Sequence, residues 1–281
     1  MEDYVVVLGS GLSINNLTDQ ERKLLDSCKV KIAINKFAAF YNKAGIVPTH
    51  IYYTDDYYES SRNFFEYMVQ YLRKDKLANL TFIVSKRMFP MLAQTRFQYI
   101  LKKIREKKIH LSEVWDIYFS KAKKNTNKDL LLERINILQL PPKSKLQIVE
   151  IRSYIDKGTA WAKSLKEPLY HFKGSLSTVL NYISIFYPNK KVLLVGVDFN
   201  TADYFFEKEL NNLNFNTKDW TYNLRKKENK HYSIIMTDGV KMDDEIPFMI
   251  EQLYKRNIQL FSVNKDSYLV KEGFVCHVDL E

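Results

Sequence analysis

The chain has 281 residues, 46% of them hydrophobic, enough for one large domain with a sizeable core. Eight glycines and seven prolines exclude collagen-like, linker and Pro-rich chains, and two cysteines, Cys28 and Cys276, exclude a disulfide scaffold or a Cys-based zinc module. Lys and Arg (43) exceed Asp and Glu (33); the formal net charge of +10 suits an anionic partner, or reflects base-composition bias in a chain rich in Lys, Asn, Ile, Tyr and Phe.

Tyr4-Val5-Val6-Val7-Leu8 is a continuous β-branched run of the kind buried on both faces of a parallel sheet. Gly9-Ser10-Gly11 breaks it, and Thr18 with Glu21 three residues on forms a capping box that opens a helix. Strands are expected at 29–34, ending at Asn35, at 50–53, ending at Thr54-Asp55-Asp56, and at 80–84, with an aromatic amphipathic helix over 57–73. A basic helix is expected over 97–108, and 112–150 is polar and Lys-rich, so 88–168 reads as an insertion or subdomain. The clear pattern returns with an apolar helix at 175–186 and a buried strand from Lys191 to Asp198-Phe199. Residues 200–231 lack either periodicity and read as a candidate lid. A helix over 244–255, a strand at 258–263 and a last strand at 274–278 complete the chain. This alternation predicts an α/β, Rossmann-like, mostly parallel sheet flanked by helices, in a single domain over 1–281.

In such sheets ligands bind beyond the carboxyl ends of the strands. Those ends carry Gly9, Ser10 and Gly11, then Asn35, Thr54, Asp198 and Asn264. Gly9-Ser10-Gly11 either lets a phosphate or ribose approach or is only a tight turn; with Ile14 it is not a full dinucleotide fingerprint. Asp55-Asp56 is either a metal site for a nucleotide diphosphate or a helix cap. Of the five histidines none are paired at i, i+4, and His231, between Lys230 and Tyr232, is placed to take a proton or to sit in a core. No nucleophile elbow, Walker sequence, helix-turn-helix or RNP motif occurs. The basic stretch from 97 is a contact for nucleic acid or anionic lipid, or a solvated helix face.

Several segments, in order, resemble one family, the bacterial sialyltransferases of glycosyltransferase family 42. Val5-Val6-Val7-Leu8-Gly9-Ser10-Gly11-Leu12-Ser13 resembles its Gly-Asn-Gly-Pro-Ser opening, and Ala33-Ile34-Asn35-Lys36-Phe37 its Cys-Asn-Gln-Phe segment. Ile51-Tyr52-Tyr53-Thr54 sits where the family has an aromatic strand ending in Asn. Lys173-Gly174-Ser175, then Val195-Gly196-Val197-Asp198-Phe199, are similar to its Arg-x-Thr-Ser helix and Ser-Gly-Ile-Asp-Phe strand. Lys230-His231-Tyr232 is similar to its Ser-His-Tyr. The resemblance implies a GT-A-like variant fold with a lid. It also implies inverting transfer of sialic acid from a CMP-activated donor to a hydroxyl of a surface glycan or glycolipid, as in lipooligosaccharide or capsule biosynthesis. The implied base is His231; the implied nucleotide and donor contacts are Gly9, Ser10, Gly11, Asn35, Thr54, Lys173, Ser175, Asp198 and Tyr204, with Tyr222, Arg225 and Lys226 near the phosphate. No metal or other cofactor is implied.

The departures, Ser10 for Asn, Leu12 for Pro, Lys173 for Arg and Asn200 for a phosphate-binding Tyr, extend the expected donors to CMP-Kdo, pseudaminic and legionaminic acid. The rival readings are a metal-dependent transferase using a nucleotide diphosphate sugar and a basic nucleic-acid-binding protein. No apolar run approaches the roughly 18 residues of a membrane span, and the acidic N-terminus is unlike a signal peptide. The expected location is therefore the cytoplasm, with the basic surface against the inner membrane as a further expectation, and a homo-oligomer left open.

Overall fold

The computed structural model describes residues 2–54, 59–86, 140–153, 160–213 and 222–280. The first strand, β1 (Tyr4–Leu8), leads through a 3-10 turn into α1 (Asp19–Asp26), then β2 (Val30–Ile34), a 3-10 segment (Asn35–Phe40), α2 (Tyr41–Ala44) and β3 (His50–Tyr53). Next come α3 (Glu59–Lys74), β4 (Thr81–Ser85), β5 (Lys145–Val149), β6 (Ile151–Ser153) and β7 (Leu169–His171). The chain continues through α4 (Ser175–Phe186), β8 (Lys191–Val195), α5 (Glu207–Asn212), α6 (Tyr222–Glu228), α7 (Ile246–Tyr254), β9 (Gln259–Ser262), α8 (Tyr268–Lys271) and β10 (Cys276–His277).

Eight strands form one parallel sheet in the order β10-β9-β8-β1-β2-β3-β4-β5. From β1 the chain winds outward through β2 to β5, then resumes on the other side of β1 with β8. The strand order therefore reverses between β1 and β8, the point at which a doubly wound sheet leaves a crevice. Alternate residues serve the two faces: Val6, Leu8, Ala33 and Tyr53 pack under α1 and α3, whereas Val5, Val7, Ile32 and Tyr52 pack under α4 and α7. Burial on both faces is why these strands read as mostly apolar runs, unbroken in β1 and interrupted by Lys31 in β2.

The predicted capping box is formed in full. Thr18 Oγ1 accepts from the Glu21 N–H at 3.2 Å, and the Glu21 carboxylate accepts from the Thr18 N–H at 2.7 Å. Helix α4 is apolar nearly all round because it is enclosed nearly all round: every residue from Leu176 to Ser184 is buried. Its one amide is used as a brace, Asn181 Oδ1 accepting from the N–H groups of Ala162 and Tyr170 and Nδ2 donating to Ala162 O.

Two of the expected segments acquire detail. Within the segment read as an insertion, β5 is the edge strand of the main sheet, paired along its length with β4, and β6 pairs with β7, just beyond that segment, in a second, two-stranded parallel sheet. Polar Lys145 and Gln147 alternate with half-buried apolar residues there, so no apolar run marks the strand. The expected irregular lid contains two short helices, α5 and α6. Its first described residues are tied down: the 205–206 pair packs on the 3-10 segment after β2, with Phe40 and Phe206 stacked at 4.3 Å, and Phe205 N–H donates to Ser10 O at 3.0 Å. The basic helix expected at 97–108 and the polar stretch to 139 lie outside the described residues, as do Asp55 and Asp56. Among the described residues, no helix is long and apolar enough to cross a membrane.

Burial also sets a pH response. His50 has both ring nitrogens bonded, Nδ1 to Thr49 Oγ1 and Nε2 to Tyr187 OH, each at 2.9 Å, and desolvation holds its pKa down to about 4. The folded state thus keeps His50 neutral while the unfolded chain takes up a proton near its ordinary pKa of about 6.5. The stability contributed by neutral His50 is complete above about pH 6.5 and is lost as pH falls toward about 4. By about pH 5 the loss is about 2 kcal/mol from His50. Urea midpoints measured between about pH 7.5 and 5, where few carboxylates titrate, should fall, and a flat profile would contradict this assignment.

Candidate functional site

The crevice between β1 and β8 is a cavity of about 220 Å³. Gly9, Ser10, Gly11, Asn35, Lys173, Ser175, Asp198, Tyr204 and His231 all line it, together with Lys36, Gly174, Phe199, Asp203 and Arg225. Of the residues singled out from sequence as nucleotide contacts, Thr54 does not line it. Its N–H donates to Asn35 Oδ1 at 3.1 Å, and Asn35 Nδ2 donates to Ser175 Oγ at 3.1 Å, so Thr54 fixes the amide that fixes the hydroxyl. Three non-glycine residues of the wall, Asn35, Lys173 and Phe199, have positive φ (49°, 46° and 61°). Such conformations cost free energy and concentrate where function requires them.

The two loops of the crevice interlock. Gly9 N–H donates to Val195 O at 2.8 Å and Gly11 N–H to Gly196 O at 2.7 Å. A Cβ on Gly11 would stand 2.2 Å from Asp198 Oδ2. The glycines are therefore needed first for loop-on-loop packing. Asp198 is 4% exposed, and its carboxylate accepts from Ser13 N–H (2.9 Å), Ser13 Oγ (2.6 Å) and Asn264 Nδ2 (2.9 Å). It braces the β1 and β9 loops around the crevice rather than offering a free carboxylate to a sugar.

Lys173 also differs from its expected role. Its ammonium is buried and directs its three N–H donors at Ile235 O (2.7 Å), Thr237 Oγ1 (2.6 Å) and Val240 O (2.7 Å). With every donor taken by the 235–240 loop, none is left for a donor carboxylate. Desolvation pulls its pKa below the usual lysine value.

Two other features supply positive potential. Gly174 caps α4 without a side chain, so the first N–H groups of this twelve-residue helix point toward the crevice with the positive end of its dipole. Arg225 lies across the Tyr204 ring at 4.7 Å and donates to Ala202 O at 2.6 Å, and Lys226 pairs with Asp203. Together these contacts hold α6 against the crevice. The side chain of Tyr222 lies outside the described residues. Phe199, Lys36 and Gly174 were not singled out as contacts from sequence; nothing local marks Phe199 as a residue of positive φ.

His231 stands at the wall with its N–H donating to Phe199 O at 2.9 Å and its ring 5.1 Å from the Phe199 ring. Its Nδ1 accepts from the Ser233 N–H at 3.2 Å. Burial, then the Arg225 charge, depress its pKa to about 3, so the ring is neutral at physiological pH. A base with that pKa is far from the value near 7 that favours proton abstraction, which departs from the role expected from sequence. Among the described residues no three His, Cys, Asp or Glu side chains come together in a way that could hold a metal ion.

No described protein family and no curated protein matches the chain. Among solved structures it is similar to the monofunctional alpha-2,3-sialyltransferase Cst-I from Campylobacter jejuni, with 12% identity, a TM-score of 0.41, and coverage of 96% of this chain and 78% of that one. A likeness at that level says nothing of which ligand this chain takes.

Proposed function

We propose that this protein is a glycosyltransferase that moves an acidic 2-keto sugar, sialic acid or a relative, from a CMP-activated donor to a hydroxyl of a glycan or glycolipid. The observation that supports this most is convergence. The segments resembling the family lie at both ends of the chain, and their residues meet around one crevice, with Thr54 immediately behind it. The cleft suits a nucleotide on physical grounds as well. It opens at the switch point of the sheet, Ser175 and Asn35 offer hydroxyl and amide groups to a sugar, and the α4 terminus and Arg225 oppose a phosphate charge.

In the reaction the acceptor oxygen attacks the anomeric carbon from the face opposite the phosphate. The new C–O bond forms as the carbon–phosphate oxygen bond breaks, and its electron pair leaves with CMP. Tyr204, backed by Arg225, is the candidate phenol for the departing phosphate, and His231 is the candidate catalytic ring. A single phosphate needs less neutralisation than a diphosphate, so cations and phenols suffice without a metal.

The test is acceptor-dependent release of CMP by the purified chain in EDTA, with CMP-sialic acid, CMP-Kdo and a UDP-sugar supplied in parallel with a lactoside. Release from a CMP donor is the expected result and names the sugar. Silence with both CMP donors and metal-rescued release from the UDP-sugar would overturn the proposal.

A further inference from the structure

The hydrogen bond at His231 Nδ1 has a consequence for what the ring can do. A backbone amide always carries its proton, so the Ser233 N–H can bond Nδ1 only if Nδ1 presents a lone pair. A neutral imidazole has one proton, and it then resides on Nε2. The backbone that carries the ring and the amide that binds it is held. His231 is the N-cap of the 3-10 turn Tyr232–Ile234, and its own N–H is anchored on Phe199 O. Ser233 Oγ donates to Lys173 O at 2.6 Å, while Lys173 Nζ binds the chain at 235, 237 and 240. Among the described residues Nε2 has no hydrogen-bond partner, although the ring lines the crevice.

We infer that His231 presents Nε2–H as a fixed hydrogen-bond donor to an anionic oxygen of the ligand, a phosphate or carboxylate oxygen, and is not the base that deprotonates the acceptor. This rests on the glycosyltransferase reading for its ligand but not for its tautomer. Arg225 acts in the same sense, since its positive charge opposes a second proton on the ring. A neutral donor held by the backbone needs no reorganisation when charge develops on the leaving group. The acceptor's proton then goes to the departing phosphate, which gains an ionisable oxygen with a second pKa of about 6.

The tautomer is read by long-range proton–nitrogen correlation on the full chain labelled with 15N-histidine, without ligand, His231 being assigned by the signals lost in His231→Gln. The expected pattern is an unprotonated Nδ1 and a protonated Nε2; a proton on Nδ1 overturns the inference. Turnover gives a second reading. His231→Ala should lose about 10²–10³-fold, and His231→Gln, whose amide N–H replaces Nε2–H without a basic nitrogen, should recover at least about tenfold of that loss. Equal losses in the two variants overturn the donor role. Should no CMP donor be turned over by the wild-type chain, the function proposed above fails while the spectrum still decides the tautomer.

Discussion

Gly9→Ala should be among the most damaging single-methyl changes in this chain. The added Cβ would lie 2.4 Å from Gly196 O and 2.9 Å from both Gly196 C and Val197 Cγ2. The first two are backbone atoms of the facing loop, and that loop is fixed by the bonds from Gly9 N–H to Val195 O and from Gly11 N–H to Gly196 O. Relief therefore means parting β1 from β8 at the point where the crevice opens. The expected cost is roughly 3 kcal/mol or more, at the upper end for overpacking because no flexible side chain can yield. Gly239→Ala is the control. A Cβ there meets nothing within 4 Å, and only its φ of 77° opposes substitution, a cost of roughly 1–2 kcal/mol. Urea unfolding of the two variants compares them directly. If Gly9→Ala were no more destabilising than Gly239→Ala, the loops would be less tightly engaged than the distances require.

The second large effect is expected at Lys173. Replacing it with Met keeps most of the aliphatic stem but removes the donor of three hydrogen bonds, leaving Ile235 O, Val240 O and Thr237 Oγ1 without it. The expected loss is about 3 kcal/mol, the range for removing one member of a buried charged network. The 235–240 loop follows His231 and the Ser233 amide that holds its ring, so nucleotide affinity should fall with stability. Lys173→Arg should not rescue, since a planar guanidinium does not match three acceptors gathered around an ammonium. Urea midpoints and CMP affinity of the two variants separate this from the role inferred from sequence. A donor-carboxylate ligand would lose sugar-donor affinity alone, with an unchanged midpoint.

The two residues show where sequence reasoning succeeds and where it stops. Both Gly9 and Lys173 were singled out, and both line the crevice. What each does there was not visible, because the partner is far away in the chain: Gly196 for one, the 235–240 loop for the other. His231 is similar. It was singled out from the neighbours Lys230 and Tyr232 and a family resemblance, and it lines the crevice, but the state of its ring is set by an amide two residues on, in a turn held by bonds to Phe199 O and Lys173 O that the local sequence does not announce.

By itself the sequence determined those elements whose signal is local. The strands β1 to β3 and β8 are predominantly apolar because both faces of a parallel sheet are covered, Lys31 being the one charged residue between their ends, and α1 begins where Thr18 and Glu21 satisfy each other's backbone. Polar or small residues at the ends of those strands marked the side of the sheet on which the crevice opens. Tertiary structure decided the rest. Strand β5 exists because the β4 edge offers unpaired backbone groups, not because Lys145–Val149 is apolar. Asp198 and Lys173 became braces because desolvated charges must be surrounded by hydrogen-bond partners, and these partners come from loops that the sequence leaves unrelated.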